Sequence, residues 1–267
     1  MKKKIALALA AMMMTGALTA CGGSKDTPAA SSGAAASQDA SGETLVMGTN
    51  AAFPPYEFVD DNNQIAGIDA EIAQAIADKL GMKLEIKDMA FDSLIPALQS
   101  DTVDIVLAGM TVTDERKEAV DFTESYATGI QVVIVTEDSA IASIDDLEGK
   151  KIGVQTGTTG DIYCSSAPED GGYGEDAVAR YDNGALAVAA LQNGQVDCVV
   201  IDNEPAKAFV EANEGLKILD TEFTVEDYAA AISKENTELL DSVNAALAEL
   251  KADGTIDEII GKYIKAE

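Results

Sequence analysis

Apolar residues recur along this chain in two rhythms, and the rhythms predict its elements. Ile68, Ile72, Ile76 and Leu80 fall four residues apart and are followed by Gly81, the signature of a helix face closed by a glycine. Around that helix stand three short strand-like runs: Thr44–Gly48, the alternating Lys83–Ile86, and the apolar Val103–Ala108. Leu94–Leu98 reads as a second helix, with Pro96 tolerable only in its first turn. Strand–helix–strand–helix–strand order implies parallel pairing with helical crossovers. The second half repeats the grammar. Lys151–Val154, Val178–Tyr181 and Val196–Ile201 read as strands, Gly157–Asp161 opens a helix, and Gly184–Leu191 forms another. Tyr228–Ile232 reads as one further strand, and two helices fill the chain from Glu235 onward. No tandem repeat is visible, so the patterning predicts two similar α/β lobes.

The first residues follow a different pattern. Lys2, Lys3 and Lys4 precede the uncharged run Ile5–Ala20, and Leu18-Thr19-Ala20 places small residues before Cys21. A basic start, a short apolar run and a small-residue cut site make a secretory signal over residues 1–20. Leu-Thr-Ala-Cys resembles the bacterial lipobox, which implies a lipid on the Cys21 thiol. The other reading, a transmembrane anchor, needs roughly 20 apolar residues, and the run is shorter than that. Residues 21–43 then read as lipidated cysteine plus flexible linker, because the Ser/Ala/Gly-rich Gly22–Gly42 segment has too little apolar surface to offset its ordering entropy. The folded part begins near Glu43, with roughly 220 residues for one large domain or two lobes of about 100 each.

Composition narrows the chemistry. The chain has 18 basic and 47 acidic residues and a formal charge of −29; loss of the three leading lysines would make the charge more negative still. Such a surface repels nucleic acid and anionic lipid headgroups, and it can attract cationic ligands. There is no histidine, and of the 3 cysteines only Cys164 and Cys198 remain beside Cys21. Two thiolates without imidazole make a poor zinc site, so neither metal nor cofactor is expected. Cys164 and Cys198 are expected as buried inert thiols, with a disulfide between them as the alternative in an exported protein.

In open α/β sheets ligands bind at the carboxyl ends of strands, against helix N-termini. The residues predicted there are Gly48-Thr49-Asn50 with Phe53-Pro54-Pro55-Tyr56, Met89-Ala90-Phe91-Asp92, the run Gly109-Met110-Thr111-Val112-Thr113-Asp114-Glu115-Arg116, then Gln155 with Gly157-Thr158-Thr159-Gly160, and Asp202. In that order and combination they resemble the extracytoplasmic solute-binding proteins of polar amino acid ABC importers, bacterial solute-binding protein family 3, over Thr44 to the C-terminus.

The resemblance implies an α/β, two-lobe periplasmic-binding-protein-like (type II) fold with a hinged interlobe cleft. Lobe one would comprise residues 44–126 and 229–267 and lobe two residues 127–228, with crossings near Tyr126–Ile130 and Phe223–Tyr228. It also implies site roles. Arg116 would grip the ligand α-carboxylate, since a guanidinium fork matches two carboxylate oxygens; the other reading of Arg116 is a solvated helix charge. Thr111 and Thr159 would add backbone N–H donors, and Thr158 would shape their turn. Asp202 would accept the α-ammonium with the Gly109 carbonyl, or act as a helix N-cap. Phe53 and Phe91 would enclose the ligand side chain, or belong to the core.

Asn50 stands where many family members carry Asp, which weakens a lysine-type ligand. Gln155 stands where some glutamine binders carry lysine, and it is similar to the residue of arginine binders. Glu57 and the negative charge favour a cation. An uncharged polar amino acid and arginine therefore stand level, with acidic amino acids disfavoured. The implied protein is a monomeric, lipid-anchored capture subunit outside the cytoplasmic membrane, partnered by an ABC permease and not an enzyme. A periplasmic dehydratase on the same fold is the catalytic alternative, and a ligand-binding sensor module the third.

Overall fold

The computed structural model describes residues 42–220 and 223–265. The expected signal segment, Cys21 and nearly all of the linker lie outside the described residues. The described chain opens with β1 (Thr44–Thr49), β2 (Ala52–Phe53), β3 (Glu57–Val59) and β4 (Ile65–Ala66), then α1 (Ile68–Leu80), β5 (Lys83–Asp88), α2 (Leu94–Gln99), β6 (Ile105–Val106), α3 (Asp114–Ala119) and β7 (Val120–Phe122). It continues through β8 (Ala127–Thr136), β9 (Ile152–Gln155), α4 (Thr159–Ser165), β10 (Val178–Tyr181), α5 (Gly184–Gln192), β11 (Cys198–Asp202), α6 (Asn203–Ala212) and β12 (Leu216–Ile218). It closes with β13 (Thr224–Tyr228), β14 (Ala231–Ser233), α7 (Thr237–Ala252) and α8 (Thr255–Tyr263).

The fold is α/β with two lobes, each built on one sheet. The first sheet runs β5-β1-β6-β14-β7, and the second β10-β9-β11-β8-β12 with β13 also on β8. The predicted parallel units are present: β1 pairs parallel with β5 and β6, and β9 with β10 and β11. The antiparallel additions β14, β7, β8, β12 and β13 complete both sheets.

The α1 face is as predicted. Ile68, Ile72 and Ile76 are fully buried, and Gly81 ends the helix in the left-handed conformation with φ 68°. Complete burial of such a side chain stabilises by about 1.5–3 kcal/mol, and the stripe packs under α7 and α8. Cys164 and Cys198 are free and buried, with each thiol pushed up to about 12 by burial.

Three expectations need correction. The strand expected over Val103–Ala108 is paired only at Ile105–Val106, because the chain then turns through Gly109 at φ 51° toward the site. The strand expected over Tyr228–Ile232 is two strands, β13 and β14. Ala229 and Ala230 carry the chain from the second sheet to the first, bonding to Met110 and Thr123 on the way. The longest strand, β8, was not predicted at all. Its Val132–Val135 run is continuously apolar and buried, so it lacks the alternation that marks a strand with one wet face.

Candidate functional site

A narrow cavity lies among the strand ends, and the structure brings all ten predicted site residues to its lining. Asn50 follows β1, Gln155 ends β9, Asp202 ends β11, and Gly109 and Thr111 follow β6. Phe53, Phe91, Arg116, Thr158 and Thr159 complete the predicted set, and Glu57 and Ala108 join it unpredicted.

Arg116 is not a solvated charge; only 6% of it is exposed. The Thr113 hydroxyl caps α3 by accepting from the Arg116 N–H at 3.1 Å, which fixes where the side chain departs. Its guanidinium donates to the Thr111 carbonyl at 2.8 Å and the Gly157 carbonyl at 3.0 Å, and its carbon lies 5.3 Å from the Phe91 ring centre. Burial lowers its pKa, opposed by Glu226 and then Asp202 nearby. A guanidinium has five N–H donors, so two such bonds leave donors for an anion in the cavity.

Asp202 sits where β11 gives way to α6. Its side chain makes no N-cap bond and instead accepts from the Tyr228 hydroxyl. Burial raises its pKa to about 7, and Glu226 adds to the rise. A buried carboxylate in this state gains from an arriving cation.

The turn Gly157–Thr159 is shaped by side-chain bonds. The Thr158 hydroxyl donates to the Gln155 carbonyl at 2.9 Å and accepts from the Asp161 N–H at 3.3 Å, capping α4. The Thr111 and Thr159 hydroxyls donate to one Glu226 oxygen at 3.0 and 2.9 Å. Gly109 donates its N–H to Asp69 at 2.7 Å, and a Cβ there would come 2.7 Å from the Phe53 ring. The two amide side chains meet as well: Gln155 Nε2 donates to Asn50 Oδ1 at 2.9 Å, while Asn50 Nδ2 donates to the Met89 carbonyl at 2.9 Å. That bond joins the ends of one strand from each sheet.

Two acidic residues escaped the sequence reading as site residues. Glu57 is fully buried on β3 with its carboxyl against that of Asp69, and no N–H or hydroxyl donor reaches either of its oxygens among the described residues. Burial first, and then the Asp69 carboxylate, hold its pKa well above the ordinary range. Glu226 on β13 is the second. It takes hydrogen bonds from Thr111, Thr159, Gln131 and Tyr163. Its signal was present in Thr224-Val225-Glu226-Asp227-Tyr228, where alternate positions point inward, but the acidic composition hides it.

The sequence profile of the bacterial extracellular solute-binding proteins, family 3, matches residues 45–266. A probable histidine-binding protein of Neisseria gonorrhoeae is 36% identical over 272 residues, covering 100% of this chain and 97% of its own length. The arginine-binding extracellular protein ArtP of Bacillus subtilis is 35% identical, with 99% of each chain covered. Among solved structures, an ancestral arginine-binding protein bound to arginine superposes with a TM-score of 0.77 at 45% identity, covering 83% of this chain and 98% of its own.

Proposed function

From the premise that this chain belongs to the bacterial extracellular solute-binding proteins of family 3, we propose that its cavity captures L-arginine or a closely similar cationic amino acid. The chain is an amino acid-binding subunit of an ABC transporter, acts outside the cytoplasm and is not an enzyme. The observation that carries the choice of ligand is Glu57. Its buried carboxyl lines the cavity with another acid, Asp69, as its only close polar partner and no cation beside it among the described residues. A guanidinium brings the donors and the charge that this group lacks. An uncharged amide side chain can bond to Asn50 and Gln155 but cannot compensate an ionised Glu57.

In this reading Arg116 takes the α-carboxylate with main-chain help from Thr111 and Thr159. Asp202 and the Gly109 carbonyl take the α-ammonium, and Phe53 and Phe91 enclose the side-chain stem. The lobes are residues 44–126 with 229–267, and 127–228; they close over the ligand about the two crossings. Closure removes water, which strengthens the charged bonds. The sequence supports a lipid on Cys21, a tether through residues 22–43, and delivery to a permease in the same membrane at high effective concentration.

Calorimetry of the purified mature chain with L-arginine, L-lysine, L-histidine, L-glutamine and L-glutamate tests the ligand. Arginine is expected to bind most tightly and glutamate most weakly. A preference for glutamine of tenfold or more over arginine would overturn the assignment.

A further inference from the structure

The strand β13 carries two inward side chains two residues apart, and each reaches a different end of the cavity. Residues i and i+2 share one face of a strand, and here Glu226 is 5% exposed and Tyr228 fully buried, while Asp227 between them and Val225 before them are exposed. Glu226 collects the Thr111 and Thr159 hydroxyls at 3.0 and 2.9 Å, with Gln131 at 3.1 Å and Tyr163 at 2.8 Å on the same carboxylate. Tyr228 donates its hydroxyl to Asp202. That reach depends on Gly129: a Cβ there would overlap the tyrosine hydroxyl. The main chain of the same segment also holds the site. The Val112 N–H donates to the Asp227 carbonyl at 2.9 Å, and the Ala229 N–H to the Met110 carbonyl at 3.2 Å, fixing the turn that presents Thr111.

We propose that Glu226 and Tyr228 are the positioning residues of the α-amino acid site: Glu226 sets Thr111 and Thr159 for the ligand carboxylate, and Tyr228 sets Asp202 for the ligand ammonium. The proposal rests on the reading of the cavity given above. It assigns to one crossing strand the alignment of both charged ends, so that movement of β13 disturbs carboxylate and ammonium recognition together. Neither residue needs to touch the ligand. Glu226 is already saturated by side chains from the segments after β6, after β9 and within β8. A second carboxylate facing the ligand carboxylate would repel it, so Glu226 acts through its threonines and not as a contact.

Three probes separate the two ends: L-arginine, agmatine, which lacks the carboxylate, and 5-guanidinopentanoate, which lacks the α-ammonium. Glu226→Asp keeps the charge but withdraws it by one methylene. It is expected to weaken L-arginine and 5-guanidinopentanoate about tenfold, the size of one hydrogen bond to a charged group, and to change agmatine by less than about twofold. Glu226→Gln keeps the reach and one acceptor, and is expected to restore most of that loss. Tyr228→Phe is expected to weaken L-arginine and agmatine about tenfold and to leave 5-guanidinopentanoate within about twofold. Equal weakening of all three probes by either variant would show a structural role only and overturn the proposal, as would no effect. If Glu226→Asp does not fold, Thr111→Val must reproduce the loss confined to carboxylate-bearing probes. If the unaltered chain binds L-histidine and not L-arginine, the ligand assignment fails alone, and the same comparison is made with L-histidine, histamine and imidazolepropionate.

Discussion

Arg116 and Glu57 are both buried, both line one cavity and are buried on opposite terms. Arg116 has two carbonyl partners, an aromatic face and nearby carboxylates before any ligand arrives. Glu57 has none of these: no N–H donor reaches its oxygens, and its one close partner, the acidic Asp69, makes ionisation harder. The difference teaches where generality and selectivity reside. In the proposed reading, the end of the cavity that takes groups common to every amino acid is organised in advance by folding, and the end that takes the variable side chain is left for a ligand of the right charge to compensate.

The largest effect expected from this contrast comes at the prepared end. Arg116→Ala or Asp202→Ala leaves a ligand charge unpaired in a buried site, a loss of about 2–5 kcal/mol. Calorimetry is expected to show every amino acid weakened together, with no change in their ranking. A change in ranking with little overall loss would break the division of labour. The next effect comes at the other end. Glu57→Gln is expected to weaken L-arginine by about 1.5–3 kcal/mol while L-glutamine changes little, and to raise the melting temperature of the ligand-free protein. Equal losses for both ligands would place Glu57 in the common frame instead.

The smallest effect is a pair of opposed pH slopes. Burial raises Asp69 to about 6 and Asp202 to about 7, and holds Glu57 well above its usual range. Each folded value exceeds the unfolded one, so the folded protein keeps protons that the unfolded chain releases. Stability of the ligand-free protein is therefore expected to rise as pH falls from about 8 toward 5, and to be lost again as pH rises through about 7. Ligand affinity is expected to move the other way, weakening about tenfold from pH 8 to pH 6, because a cation needs Asp202 ionised. Thermal melts and calorimetry across that range check both slopes, and Asp202→Asn is expected to flatten the affinity slope and to remove only the Asp202 share of the stability slope.

Much of this was legible in the sequence. The four-residue spacing of Ile68, Ile72, Ile76 and Leu80 specifies α1 because one buried stripe decides a helix. The ten predicted site residues come together because strand ends and their turns carry recognisable local chemistry. What the sequence concealed depends on the sheet. β8 lacks a clean alternation and gains its identity by pairing with β11, β12 and β13. Glu226 looks like one more acid in a chain with 47. Its role appears only when β13 lies beside β8 and turns it inward. Glu57 was visible as a charge, but its burial beside Asp69 with no cation or N–H donor is a property of the folded cavity.

A crystal structure of the protein with L-arginine would decide the ligand's orientation. The guanidinium is expected against the Glu57 carboxylate, the α-carboxylate on Arg116 and the α-ammonium on Asp202. An arginine bound with its guanidinium away from Glu57, or with its α-carboxylate away from Arg116, would contradict that assignment.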